Sequence, residues 1–129
     1  MEVARLKAIP LFSDVPDDEL FTIAPFAEET QVEAGKVLAK EGQYAYQFIA
    51  IEEGEAEVTR GGEHVADLKA GDFFGEIGLL ETALRTATVT AKTPMRLITL
   101  TGSDMKRMER NIPQAVERIR QALEQRRPD

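Results

Sequence analysis

Apolar residues recur along this chain with two different periods, and the change from one to the other falls near Glu28. Before it, Val3, Leu6 and Ile9 keep a weak helical spacing. Pro10 breaks that run, because a proline disfavours helix at the residue before it. Ser13-Asp-Val-Pro-Asp-Asp-Glu19 predicts a new helix start, with Pro16 near the first turn and acids that complement the helix dipole. Leu20, Ile23 and Ala24 form its apolar face, and Pro25 ends or kinks it.

From Glu28 the period is two. Thr30–Val32, Lys36–Ala39, Gln47–Ile51, Ala56–Val58 and His64–Leu68 predict short strands, separated by Ala34-Gly35, Glu41-Gly42, Glu53-Gly54 and Gly61-Gly62. The last of these dipeptides is a two-residue hairpin signal. Thr86–Ala91 and Met95–Thr101 predict two more strands. About eight short strands with glycine turns point to an all-β sandwich or barrel. Helical spacing then returns. Ser103-Asp104 is expected to cap a segment running to about Arg110, with an interruption at Asn111-Ile112-Pro113. A final helix is expected over Gln114–Arg126, with Val116, Ile119, Ala122 and Leu123 on one stripe.

Residues 71–87 stand apart from both periods and read as an anion cradle. Gly71-Asp72 makes a turn, Phe73 and Phe74 follow, and Gly75 lets a ligand approach the backbone closely. Glu76–Leu80 is long enough for one helical turn, whose unpaired N–H groups favour an anion. Arg85 stands ten residues after Gly75 and has the planar fork suited to a phosphate. Read alone, Arg85 is a surface residue paired with Glu81. Glu76 repels a bare phosphate but suits a sugar phosphate, because a carboxylate accepts from a ribose hydroxyl while Arg85 and the amides hold the phosphate.

The composition narrows the function. With 129 residues, 43% apolar and 30% charged, the chain is expected to be one globular domain with its own core. No apolar run approaches the roughly 20 residues of a membrane span, and no signal-peptide core opens the chain. A net charge of −7 argues against unaided nucleic-acid binding, although Asp14–Glu33 is acidic and Arg118–Arg127 basic. There is no cysteine and one histidine, His64, so neither a metal-ligand cluster nor a Ser-His-Asp or Cys-His set is expected, and no catalysis. Glu52 and Glu53, adjacent in a strand, are expected to face opposite sides.

Phe74-Gly75-Glu76-Ile77-Gly78-Leu79-Leu80 followed by Arg85-Thr86-Ala87 resembles the phosphate-binding cassette of cyclic nucleotide-binding domains. That family includes protein kinase A regulatory subunits, cyclic-nucleotide-gated channels and the catabolite activator protein. Pro10-Leu11-Phe12 and the turn glycines fall where the family carries them, so the resemblance covers nearly the whole chain. It implies a mainly β fold with flanking helices: a jelly-roll β-barrel with an N-terminal helix and two C-terminal helices. The expected division is an N-terminal helical segment 1–27, a barrel 28–101 containing the cassette 74–87, and hinge and lid helices over 102–127.

The resemblance also implies the site. Arg85 pairs the cyclic phosphate, the amides of Gly78 and Thr86 add bonds to it, and Glu76 with the Gly75 backbone holds the ribose 2′-hydroxyl. Ile77 and Ala87 complete the cassette, and Val58, Val65 and Leu68 form the apolar wall beside the base. The Thr86 hydroxyl can bond the phosphate or a guanine edge and assigns no selectivity. The implied ligand is cyclic AMP in preference to cyclic GMP, with no cofactor and a cytoplasmic location. The partner is a protein effector or a larger parent chain, since no output segment is read within these residues. Two features depart from the family pattern. Leu84 stands where a proline or small polar residue often precedes the arginine, and no aromatic residue lies beyond Phe74. Only aliphatic candidates such as Val116, Ile119 or Leu123 are then available, and the base is expected to be capped weakly, or by a partner chain. The alternative is a fold retained as a protein-interaction module without nucleotide.

Overall fold

The computed structural model describes residues 1–43, 47–74 and 86–111, with positions 113, 114, 116, 117 and 121. Among the described residues there are eight strands: β1 (Glu28–Val32), β2 (Val37–Ala39), β3 (Gln47–Glu53), β4 (Ala56–Arg60), β5 (Glu63–Leu68), β6 (Phe73–Phe74), β7 (Thr88–Ala91) and β8 (Met95–Thr101). They form two four-stranded antiparallel sheets, ordered β1-β8-β3-β6 and β2-β7-β4-β5, which is the jelly roll the resemblance implied. Gly61 and Gly62 have φ of 60° and 83°, the left-handed pair that a two-residue hairpin between β4 and β5 requires. The strand the periodicity does not reveal is β6. Two residues carry no period, and β6 exists because Phe73 and Phe74 pair with Ala50 and Ile49 of β3.

The apolar run of β3 is buried on both faces, which is why it does not alternate in polarity. Phe48 and Ala50 join a cluster with Leu6, Ile9, Phe12, Leu20 and Ile23 from the N-terminal helices. Ile49 and Ile51 join the barrel interior with Ala39, Ala56, Val89, Ala91 and Leu97. In β8, Ile98 and Leu100 belong to the first cluster and Met95 and Leu97 to the second. One sheet is thus sandwiched between the barrel interior and a helical layer.

That layer consists of α1 (Val3–Lys7), α2 (Asp17–Ile23) and two 3-10 turns, Pro10–Phe12 and Ala24–Phe26, placed where the prolines predict breaks. Leu20, Ile23 and Ala24 are buried as their spacing requires. Arg5 of α1 grips Glu52 through Nε (2.9 Å) and Nη2 (2.5 Å) and also pairs with Glu29. The Arg5 bonds hold the Glu52 carboxyl below its ordinary pKa, against burial, and those carboxylates in turn raise the Arg5 pKa.

The two adjacent glutamates do not simply diverge. Pairing shifts from Ile51↔Leu97 to Glu53↔Arg96, leaving Glu52 as an extra residue in the strand. Arg96 then reaches both carboxylates, Glu52 through Nε (3.1 Å) and Glu53 through Nη2 (2.7 Å).

After β8, helix α3 (Gly102–Asn111) begins one residue before the expected Ser103. Its cap is Thr101: the Thr101 hydroxyl accepts from the Asp104 N–H and the Asp104 carboxylate accepts from the Thr101 N–H, each at 3.1 Å. This is the reciprocal arrangement of a capping box. Met108 of α3, fully buried, and Val116 both enter the helical-layer cluster. Pro113 and Gln114 are helical. Ile112, inside the expected interruption, and Ile119, Ala122 and Leu123 of the expected last helix lie outside the described residues.

Candidate functional site

The cassette connects β6, at the edge of one sheet, to β7 in the other. Gly75, Glu76, Ile77, Gly78, Leu84 and Arg85 lie outside the described residues. What the structure describes is the frame on either side. At the entrance, Phe73 and Phe74 point to opposite faces. Phe74 packs against the barrel interior, while the Phe73 ring lies 5.6 Å from that of Phe48, which in turn meets Phe12 edge-on at 6.4 Å.

At the exit, Thr86 is exposed and Ala87 partly buried, immediately before β7. Hydrogen bonds tie this exit to two loops. Arg60 Nε donates to the Thr86 carbonyl (3.2 Å). The Glu41 N–H donates to Thr88 Oγ1 (3.1 Å), and Glu41 Oε1 accepts from the Gly61 N–H (3.0 Å). Arg60, Glu41 and Thr88 were not singled out in the sequence. Their only signals are an arginine closing a strand beside Gly61-Gly62 and an acid before Gly42, both of which read as turn chemistry.

Among the residues expected beside the base, the structure brings Val58 and Leu68 to the barrel interior. Both are partly buried and pack against its cluster. Their neighbours on that sheet are small, with Ala56, Val89 and Ala91 all buried. Val65 does not join them. Pairing shifts from Val58↔Ala66 to Thr59↔His64, Val65 is left out of the ladder, and the residue is 49% exposed. His64 Nδ1 lies 2.8 Å from Glu57 Oε2 in an exposed pair, with Asp67 at 3.7 Å from Nε2. Among the described residues no group of three or more His, Cys, Asp or Glu is placed to hold a metal ion. No helix among them is long and apolar enough to cross a membrane.

The family model of the cyclic nucleotide-binding domain matches residues 29–111, from β1 through the cassette to the end of α3. The chain belongs to the cyclic nucleotide-binding domain family. Among curated relatives of this domain, a cAMP-dependent protein kinase regulatory subunit of Yarrowia lipolytica is 42% identical over 105 residues, covering 80% of this chain and 28% of that protein. A cyclic nucleotide-gated potassium channel of Rhizobium etli is 33% identical over 120 residues, covering 93% of this chain and 34% of that protein. The chain thus spans about a third or less of the length of these relatives.

Solved structures share the fold of the domain. The N-terminal domain of a transcriptional regulator from Streptomyces coelicolor superposes with a TM-score of 0.82 at 24% identity, covering 98% of this chain and 92% of that one. The catabolite activator protein of Thermus thermophilus superposes with a TM-score of 0.78 at 24% identity, covering 91% of this chain and 57% of that one.

Proposed function

We propose that this domain binds a 3′,5′-cyclic purine nucleotide, cyclic AMP in preference to cyclic GMP, and passes occupancy through its C-terminal helices to a protein effector or to the remainder of a larger chain. The observation that carries this reading is the family match over residues 29–111, a span that includes 74–87, and it is supported by Gly75, Glu76, Gly78, Arg85 and Thr86, which stand in the sequence as the family's cassette pattern has them. The preference for cyclic AMP rests on the named kinase regulatory relatives.

In this mechanism Arg85 neutralises the cyclic phosphate, the Gly78 and Thr86 amides donate to it, and Glu76 accepts from the ribose 2′-hydroxyl. Ile77 and Ala87 shape the cassette around them. The base lies along Val58 and Leu68, where the small side chains of Ala56 and Ala91 leave room. Charge-assisted bonds contribute about 1.5–3 kcal/mol each, so a few of them with base burial reach the roughly 8 kcal/mol of micromolar affinity.

The signal has a physical route. Phe73, next to the cassette, packs on Phe48 in the cluster that also seats Met108 and Val116. Tightening of the cassette displaces β6 and changes the seat of the C-terminal helices, shifting their population between docked and released. The role is regulatory and cytoplasmic, without catalysis: the chain has no cysteine, and its single histidine, His64, is exposed beside Glu57.

Calorimetric titration of cyclic AMP and cyclic GMP into protein refolded to remove carried-over nucleotide tests this. One-to-one binding is expected, weakened at least about a hundredfold in Arg85→Ala because the phosphate loses its counter-charge. Silence with both nucleotides, or an unchanged affinity in Arg85→Ala, overturns the reading. Silence would leave a fold that acts as a protein-interaction module.

A further inference from the structure

We infer that Arg60 and Glu41 are positioning residues for the phosphate end of the cassette, holding the backbone at 86–88 in the orientation that nucleotide binding needs. This rests on the function proposed above. The structure joins three segments that are distant in sequence. Arg60 at the end of β4 donates from Nε to the Thr86 carbonyl at 3.2 Å. Glu41 spans the other two bonds, with its N–H on Thr88 Oγ1 at 3.1 Å and its carboxylate on the Gly61 N–H at 3.0 Å. The β4–β5 turn, the loop after β2 and the start of β7 are thereby held together.

The geometric consequence follows from backbone planarity. The Thr86 carbonyl is part of the rigid peptide unit joining residues 86 and 87. Only the φ and ψ of Thr86 separate that unit from the Thr86 N–H, the donor expected on the phosphate. Holding the carbonyl on Arg60 while Thr88 is held on Glu41 anchors that unit, so the N–H can turn away only through those two dihedrals. β4 also carries Val58, two residues before Arg60, so the same clamp sets the phosphate end of the pocket relative to the base wall. The ordering cost is met before the ligand arrives, and preorganisation of this kind raises affinity without any contact to the ligand.

Arg60 is exposed and its bond is to a carbonyl, so the effect is that of one net hydrogen bond. Arg60→Met is expected to weaken cyclic AMP binding about three- to tenfold, and Arg60→Lys, which keeps a donor, to recover part of the loss. Thr88→Val, which removes the Glu41 acceptor, is expected to act in the same direction.

Two readouts separate positioning from the alternatives. If Arg60 acted as a direct phosphate charge, the salt dependence of binding would flatten in Arg60→Met; for a positioning residue it keeps the wild-type slope. In unliganded protein, amide hydrogen exchange at residues 86–88 is expected to accelerate in Arg60→Met while exchange in β3 and β8 stays unchanged, which general destabilisation would not produce. Wild-type affinity in Arg60→Met, a flattened salt slope, or unchanged exchange at 86–88 would each overturn the inference. If the wild-type protein fails to bind cyclic AMP, the proposed function falls, and the exchange comparison still decides whether the clamp exists.

Discussion

Met108 offers the sharpest test of how the C-terminal helix is held. It is fully buried, whereas Ser103, Lys106, Arg107, Glu109, Arg110 and Asn111 of the same helix are exposed. Among the described side chains of α3 it is the one seated in the helical-layer cluster, beside residues of α1, α2, β3 and β8. Met108→Ala removes its thioether end and leaves a cavity, and such core truncations cost about 2–5 kcal/mol. The Thr101–Asp104 cap contributes about 1 kcal/mol by comparison, so loss of the Met108 contact outweighs it.

If α3 loosens as a unit, the cost appears locally. A loss of about 2 kcal/mol corresponds to roughly thirtyfold faster opening-limited exchange. Urea unfolding with hydrogen exchange resolved by peptide measures both quantities. The expected result is accelerated exchange over 103–111, with β3 and β8 keeping their protection. Asp104→Ala is expected to produce the same pattern at smaller size. Exchange at α3 equal to wild type, with a stability loss below about 1 kcal/mol, would refute the argument that Met108 seats the helix.

Two other predictions concern the frame of the barrel. Gly54 has φ +100°, and a Cβ there would lie 2.6 Å from the Pro94 carbonyl oxygen and 2.8 Å from Met95 Cγ. Gly54→Ala should therefore cost about 2–5 kcal/mol, combining the left-handed conformation with displacement of the neighbouring turn; a urea midpoint equal to wild type would contradict this. Glu52 is bound to Arg5 and Arg96, and its carboxyl is held below the ordinary value. Below an unfolded-state pKa of about 4.3 the unfolded chain takes up the proton first, so the ion pair's stabilisation is complete at neutral pH and falls as pH drops through the lowered folded value. The stability gap between wild type and Glu52→Gln should be widest at neutral pH and close on acidification, and a gap independent of pH would show that Glu52 is not stabilised as a carboxylate.

Much of this fold was legible because its signals are local. Gly61-Gly62 encodes its own turn, since both positions need positive φ. Pro10, Pro16 and Pro25 mark helix limits through steric effects that reach only one or two residues, and the observed helices obey them. The seven strands expected from alternation appear near their expected bounds, and the reciprocal cap of α3 was present as Thr101-Gly-Ser-Asp104, although Ser103 drew the reading instead. The family was legible for a different reason: Phe74-Gly75-Glu76 and Arg85-Thr86-Ala87 are a recurring pattern within one short segment, and the family match over residues 29–111 agrees with it.

The sequence by itself therefore determined most of the elements and their turns. Tertiary structure alone decided which distant groups meet. It paired Phe73-Phe74 with β3, set the extra residue at Glu52 so that adjacent carboxylates share Arg96, turned Val65 out of the ladder, and brought Arg60 and Glu41 to the exit of the cassette. Turn conformation and periodicity arise from interactions between near neighbours. Strand order and a shift of register depend instead on how whole sheets close around a shared core, and no short stretch of sequence carries that information.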